Sequence, residues 1–186
     1  MTALWVVLAI VVLLAIAVAV SYNRFVSQRN LVQESWRQVD VELKRRHDLI
    51  PNLVETVKGY AAHERDVFDA VTRARAQAAT PGSSPAEQGR QEGILGQALG
   101  RLFAVAEAYP DLKASTNFLE LQRELTETED RIAAGRRFYN GNVRALNTRV
   151  ESVPSNLVAS MFGFRHAEYF EVEDEAVRSA PTVDFS

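Results

Sequence analysis

The residues that could do chemistry in this 186-residue chain are few and scattered. There are three histidines, His47, His63 and His166, and no cysteine. Thiol catalysis, disulfides and Cys-ligated metals are thereby excluded. His63-Glu64 has the start of a zinc-protease motif, but Val67 stands where the second histidine would have to be. His47 and His63 are 16 residues apart, too far to share a metal on one helix, so each histidine reads as a surface residue. Glu124, Glu127, Glu129 and Asp130 cluster, yet no Glu-x-x-His accompanies them, as a di-metal bundle would require. Thr126 and Thr128 interleave with them, which suits a solvated outer face. The spaced glycines of "GRQEGILGQALG" have no preceding strand and no Lys-Ser/Thr pair to make a phosphate loop. These absences point away from an enzyme and from any metal or cofactor.

Two polar stretches remain. Lys44, Arg45 and Arg46 stand in a row, followed by Asp48 and Pro51. Arg46 falls on an apolar stripe, where a buried guanidinium needs a carboxylate partner. Glu64 shares that stripe, and "RRFYNGNVRALN", from Arg136 through Tyr139 and Asn140 to Asn147, is dense enough in polar groups to supply partners. The triplet pairs either with anionic lipid or with Asp40, Glu42 and Asp48. Lys44 stands about 36 Å along an upright helix from Val20, far beyond the Debye length of about 8 Å, which favours the carboxylates.

The elements that must position these groups start with "ALWVVLAIVVLLAIAVAV", an apolar run from Ala3 to Val20. As a helix it is about 27 Å long, close to a bilayer's hydrocarbon core of about 30 Å. Trp5 near one end and Tyr22 beyond the other suit the headgroup layers, and Leu13 sits midway. A cleaved signal peptide ending at Ala17–Ala19 is the competing reading, but no Lys or Arg precedes the run and it exceeds a usual signal core. The 21 Lys and Arg and 24 Asp and Glu all follow it. Arg24, Arg29 and Arg37 lie close behind, which predicts a short N-terminus outside and a cytoplasmic body. A net charge of −3 gives no sign of nucleic-acid binding.

Apolar residues then recur at three- and four-residue steps: Val32, Trp36, Val39, Leu43, Ile50, Leu53, Val57, Tyr60, Val67, Val71 and Ala74. The period is helical and nearly heptad. It keeps its phase across Pro51, predicting one helix over 30–78 bent near that proline. The alternative is a break with Asp48 opening a new helix. Residues 79–89 read as a loop. A second helix is predicted over 90–108 with Ile94 and Phe103 facing inward, a third over 116–152, and a short fourth at "NLVASMFGF". The fold is therefore all-α: an anchor segment over 1–29, an elongated antiparallel, up-and-down bundle over 30–166, and a loose acidic tail over 167–186.

The stretches "ESWRQVDVELKRRHDLIPNLVETVKGYAAHE", "VTRARAQA", "AEAYPDLKASTNFLELQRELTETEDRIAAGRRFYN", "NTRVESVPSNLVASMFGF" and "YFE" resemble the LemA family of bacterial membrane proteins. The likeness covers Tyr22 to about Glu171, and Gly135 stands where a bulkier helix former would be expected. The resemblance implies a single-pass protein of the bacterial inner membrane with a cytoplasmic helical body, and no enzymatic activity or cofactor. A relative acts in building magnetosome membranes, a pointer toward scaffolding.

The expected role is a membrane-held scaffold whose partners are the lipid bilayer and other proteins, copies of itself included, with no nucleic acid and no small-molecule substrate. The rival reading is a membrane-tethered enzyme or metal protein using His63, Glu64 and the Arg136–Asn147 patch.

Overall fold

The computed structural model describes residues 1–172. Among them are six helices: α1 (Thr2–Lys58), α2 (Arg65–Ala78), α3 (Pro85–Glu107), α4 (Pro110–Lys113), α5 (Thr116–Glu151) and α6 (Ser155–Phe162). No strand occurs among the described residues, and the all-α reading stands. The apolar run is not a separate helix but the first third of α1, and it is long and apolar enough to cross a membrane. Its side chains are exposed, Trp5 by 68% and Leu13 by 66%, a larger apolar surface than soluble monomers ordinarily carry.

The chain divides into two compact units. The first takes residues 1–40 and 134–168, the second residues 41–133 and 169–172 of those described. In the first, α1 and α5 run antiparallel: Gln28 Nε2 donates to the Asn142 carbonyl at 3.2 Å, and the Trp36 and Tyr139 rings stand 5.2 Å apart. Gly135 explains itself here, because a Cβ on it would lie 3.1 Å from Cγ2 of the buried Val39. The missing side chain lets the two helices close on each other.

The second unit is an antiparallel four-helix arrangement built from the later part of α1, α2, α3 and the earlier part of α5. Its core joins Ile50, Leu53 and Val57 of α1 with Phe68 and Val71 of α2, Leu95, Leu99 and Leu102 of α3, and Phe118 and Leu125 of α5. The small residues Ala74, Ala78, Ala98 and Ala106 let the helices approach closely at this core.

The helix expected over 30–78 is corrected in one respect. α1 does continue through Pro51, but it stops at Lys58, and residues 59–64 turn the chain back into α2. The apolar phase survives the turn because each helix brings the same kind of face to the core. Ala61 is buried at the corner, while Tyr60, predicted inward, is 46% exposed. Ile94, also predicted inward, is 52% exposed because α3 is rotated to bury Glu92 and Leu95. α3 begins at Pro85, five residues before the predicted start. Ser84 caps it by accepting from the Glu87 N–H at 3.4 Å, with Pro85 at the first helical position. α5 lies within a residue of its predicted span. Of the predicted acidic tail, residues 173–186 lie outside the described residues, whereas Phe170 is completely buried.

Candidate functional site

Pro51 sets the local problem. A proline has no N–H, so the carbonyl four residues back, that of His47, loses its helical donor. Arg75 of α2 supplies the replacement: its Nε donates to the His47 carbonyl at 2.6 Å. An N–H⁺ donor makes this a charge-assisted bond, stronger than the amide bond it replaces. The side chains of the preceding turn complete the site. Arg46 and His47 are buried, 6% and 7% exposed, and both face Glu92 of α3, which is 1% exposed.

Glu92 is close to saturated. Its Oε2 accepts from Arg46 Nη1 at 2.9 Å. Its Oε1 accepts from Gln88 Nε2 at 2.8 Å and lies 2.8 Å from His47 Nε2. With Glu92 ionised, His47 must carry its proton on Nε2 and donate. Gln88 also donates to the Ala78 carbonyl at 2.8 Å, so one amide group ties the end of α2 to α3. On its other side, Arg46 Nε lies 2.8 Å from Glu129 Oε1 of α5, an ion pair by distance whose angle is not that of a hydrogen bond. Gln88 and Glu92 are four residues apart and therefore on one side of α3. The first turn of α3 carries a second, exposed pair. Arg90 donates to Glu87, and that bond first, then Gln91, holds the Glu87 carboxyl below the usual carboxylate range.

Several expectations are corrected by this geometry. His47 is a buried hydrogen-bonding residue, not a surface one, because the main turn of α1 before Pro51 faces α3. Glu129 is exposed, as a solvated face requires, and still comes within 2.8 Å of Arg46, whereas Thr128, read as part of that face, is buried. Arg46 does find carboxylates, but from Glu92 and Glu129, and the Arg136–Asn147 stretch lies in the other unit. Lys44, Arg45 and Asp48 are exposed beside the site, as is Pro51, and Glu42 lies 4.0 Å from Arg131 of α5. Arg75, Gln88 and Glu92 were missed. The signal for Arg75 was Pro51 itself, which implies an orphan acceptor at position 47. The signal for Gln88 was the Ser-Pro-x-Glu cap at Ser84, which moves it into the helix that already held Glu92, one turn away on the same side.

The Arg136–Asn147 stretch does separate work within the first unit. Asn147 clamps Ala167, accepting from its N–H at 2.8 Å and donating to its carbonyl at 3.0 Å. The Tyr139 hydroxyl donates to the Glu168 carbonyl at 2.8 Å. Burial first, and the Glu168 carboxylate second, push the Tyr139 phenol up to about 12. Arg136 and Asn140 are half-buried on the same helix. Glu64 is half-buried as the residue before α2, with His63 exposed beside it, both in the second unit. Neither unit by itself lends support to a pocket made of these groups. Among the described residues, no group of three His, Asp or Glu stands close enough to hold a metal. Arg46, His47, Arg75, Gln88, Glu92 and Glu129 together join α1, α2, α3 and α5.

Comparison with known proteins sets this architecture among others. A profile of the LemA family matches residues 35–185. Magnetosome protein MamQ 2 of Paramagnetospirillum magneticum is 30% identical, over 81% of this chain and 64% of the relative. Magnetosome protein MamQ of Magnetospirillum gryphiswaldense is 28% identical, over 80% of this chain and 64% of the relative. Protein LemA of Metamycoplasma hominis is 26% identical, over 82% of this chain and 69% of the relative. The chain thus spans somewhat less than two thirds of the magnetosome relatives it matches.

Proposed function

Because this chain belongs to the LemA family, we propose that it is a single-pass inner-membrane protein whose cytoplasmic helices act as a non-enzymatic docking scaffold for other proteins. The observation that carries the anchor is the apolar start of α1, exposed from Met1 to Ala17 and continuous with the helix that enters the bundle. Arg24, Arg29 and Arg37 after the run favour a cytoplasmic body. Relatives named as magnetosome proteins support a place at a membrane.

The scaffold reading rests on what the polar groups do. Arg46, His47, Gln88 and Glu92 are engaged with one another, while Lys44, Arg45 and Asp48 face outward on the adjacent turns of α1. An exposed charged edge over a rigid polar core offers a partner a fixed pattern of charge. The test is mild crosslinking in cells followed by purification of the membrane fraction. The same partners should be recovered with the parent and with a conservative Lys44→Arg variant, and lost with Lys44→Glu/Arg45→Glu at unchanged melting temperature. No reproducible partner for the parent would contradict the scaffold.

A further inference from the structure

One surface has no place in the scaffold reading. α6 buries Val158 and Ala159 but leaves Leu157 and Met161 exposed by 65% and 68%. Val153, in the turn before it, is 80% exposed. Val153, Leu157 and Met161 recur at four-residue steps, and Leu157 and Met161 share one face of the helix. Large apolar side chains gathered like this on a short helix mark a contact surface.

The end of α6 is tied to α1 in the same unit, at the end of its apolar run. The Phe162 ring meets the Tyr22 ring edge-on at 4.9 Å. Gly163, at φ 72°, ends α6 in the left-handed conformation that favours glycine. The chain then returns Phe164 to stack on Phe25 at 4.7 Å, with its ring 5.7 Å from Tyr22. Phe162 also closes an open groove of about 490 Å³ with Leu14, Val18, Ala19 and Tyr22. Leu14 to Tyr22 is about 12 Å of helix. Phe162 therefore lies level with the last two turns of the segment that a bilayer would bury. Cations stand beside it: Arg24 and Arg165 are exposed, and the Arg29 guanidinium lies 5.6 Å from the Phe164 ring centroid. Such side chains place their stems on apolar surface and their charge among headgroups.

We infer that α6 is a second membrane contact: its Leu157–Met161 side lies in the boundary between headgroups and acyl chains, and the groove beside Phe162 holds an acyl chain of a bilayer lipid. The inference rests on the reading that α1 crosses the membrane. Continuity decides the choice of occupant, because the groove's other wall starts with Leu14, Ala15, Val18 and Ala19 inside the apolar run and ends at Tyr22 and Asn23 just past it. Met161 suits the task, its unbranched thioether adapting to irregular apolar surroundings. A short helix lying at the interface in this way would fix the rotation of α1 about its own axis, which a lone spanning helix leaves free.

The chain has no cysteine, so a single introduced one reports a single position. Full-length Leu13→Cys and Met161→Cys, each carrying a nitroxide, would be placed in phosphatidylethanolamine–phosphatidylglycerol vesicles. Collision with oxygen, which concentrates in lipid, is compared with collision with a water-soluble nickel chelate. The expected result is that both positions favour oxygen, Leu13 more strongly because it is deeper. If Leu13 favours oxygen and Met161 favours the chelate, the span stands and the α6 contact is overturned; the face then belongs to a protein partner. If Leu13 also favours the chelate, the span reading fails and takes this inference with it.

Discussion

Arg75 Nε donates to the His47 carbonyl at 2.6 Å, filling the position that Pro51, four residues further along α1, leaves without a donor. The proline that should end a helix thus binds a second helix to the first. His47 is used twice, its carbonyl by α2 and its imidazole by Glu92 of α3.

That relationship predicts a coupling. Arg75→Ala should cost about 1.5–3 kcal/mol, the range for a charge-assisted hydrogen bond. In a Pro51→Ala background the restored N–H competes for the same carbonyl, and the cost of losing Arg75 should fall to well under half. A double-mutant cycle on the full chain in detergent, followed by denaturant unfolding, measures the difference. Equal costs in the two backgrounds would remove the link between Pro51 and Arg75.

Arg46 and Glu92 form a buried pair, so loss of one partner strands the other. Arg46→Met should destabilise by about 3–5 kcal/mol, and Glu92→Gln by a comparable amount. The double variant should lose clearly less than the sum, because no stranded buried charge then remains and Glu129 is exposed enough to be solvated. Additive losses would mean that Glu129 and Gln88 carry the site instead.

Gly89 lies directly against the main chain of Glu171: a Cβ at that position would overlap the Glu171 carbonyl oxygen and lie 2.8 Å from its carbon. Gly89→Ala should therefore push the segment away and release the buried Phe170 beside it. The loss should approach that of Phe170→Ala, about 3–5 kcal/mol, and the two together should cost little more than either one. Unfolding curves for the three variants decide it; a mild effect of Gly89→Ala alone would contradict the close approach.

Tyr139 predicts an alkaline limit. Its pKa is raised to about 12 in the folded chain, against about 10 in an unfolded one. Between these values the folded state holds a proton that the unfolded state has released. The stabilisation is fully present below pH 10 and is lost as pH rises through 12, by about 2–3 kcal/mol in total. Tyr139→Phe should flatten this part of the stability profile, and an unchanged slope above pH 10 would show that Tyr139 is not its source.

Much of this was legible from periodicity. The apolar run, the helical phase through Pro51 and the span of α5 follow from spacing alone, because a buried stripe must recur at helical intervals. The turn at 59–64 was hidden by that same rule: Val57 and Val67 keep a common phase although the chain reverses between them. Gln88 was obscured by the late start given to α3; Glu92 lay inside the predicted helix, but a carboxylate among glycines carries no apolar signal that would turn it inward. Arg75 could be reached only by asking which group replaces the hydrogen bond that Pro51 removes. Gly89 and Gly135 owe their roles to main chain and side chains distant in sequence, which no local pattern records.

The central claim is that α1 crosses a membrane and leaves the helical body on the cytoplasmic side. Thr2→Cys and Arg123→Cys, made singly in the full chain, can be treated in spheroplasts with a maleimide that does not cross membranes. The account predicts labelling at Thr2 in intact spheroplasts and at Arg123 only after lysis, with both variants retained in carbonate-washed membranes. Labelling of Arg123 before lysis, or release of the chain by carbonate, would contradict it.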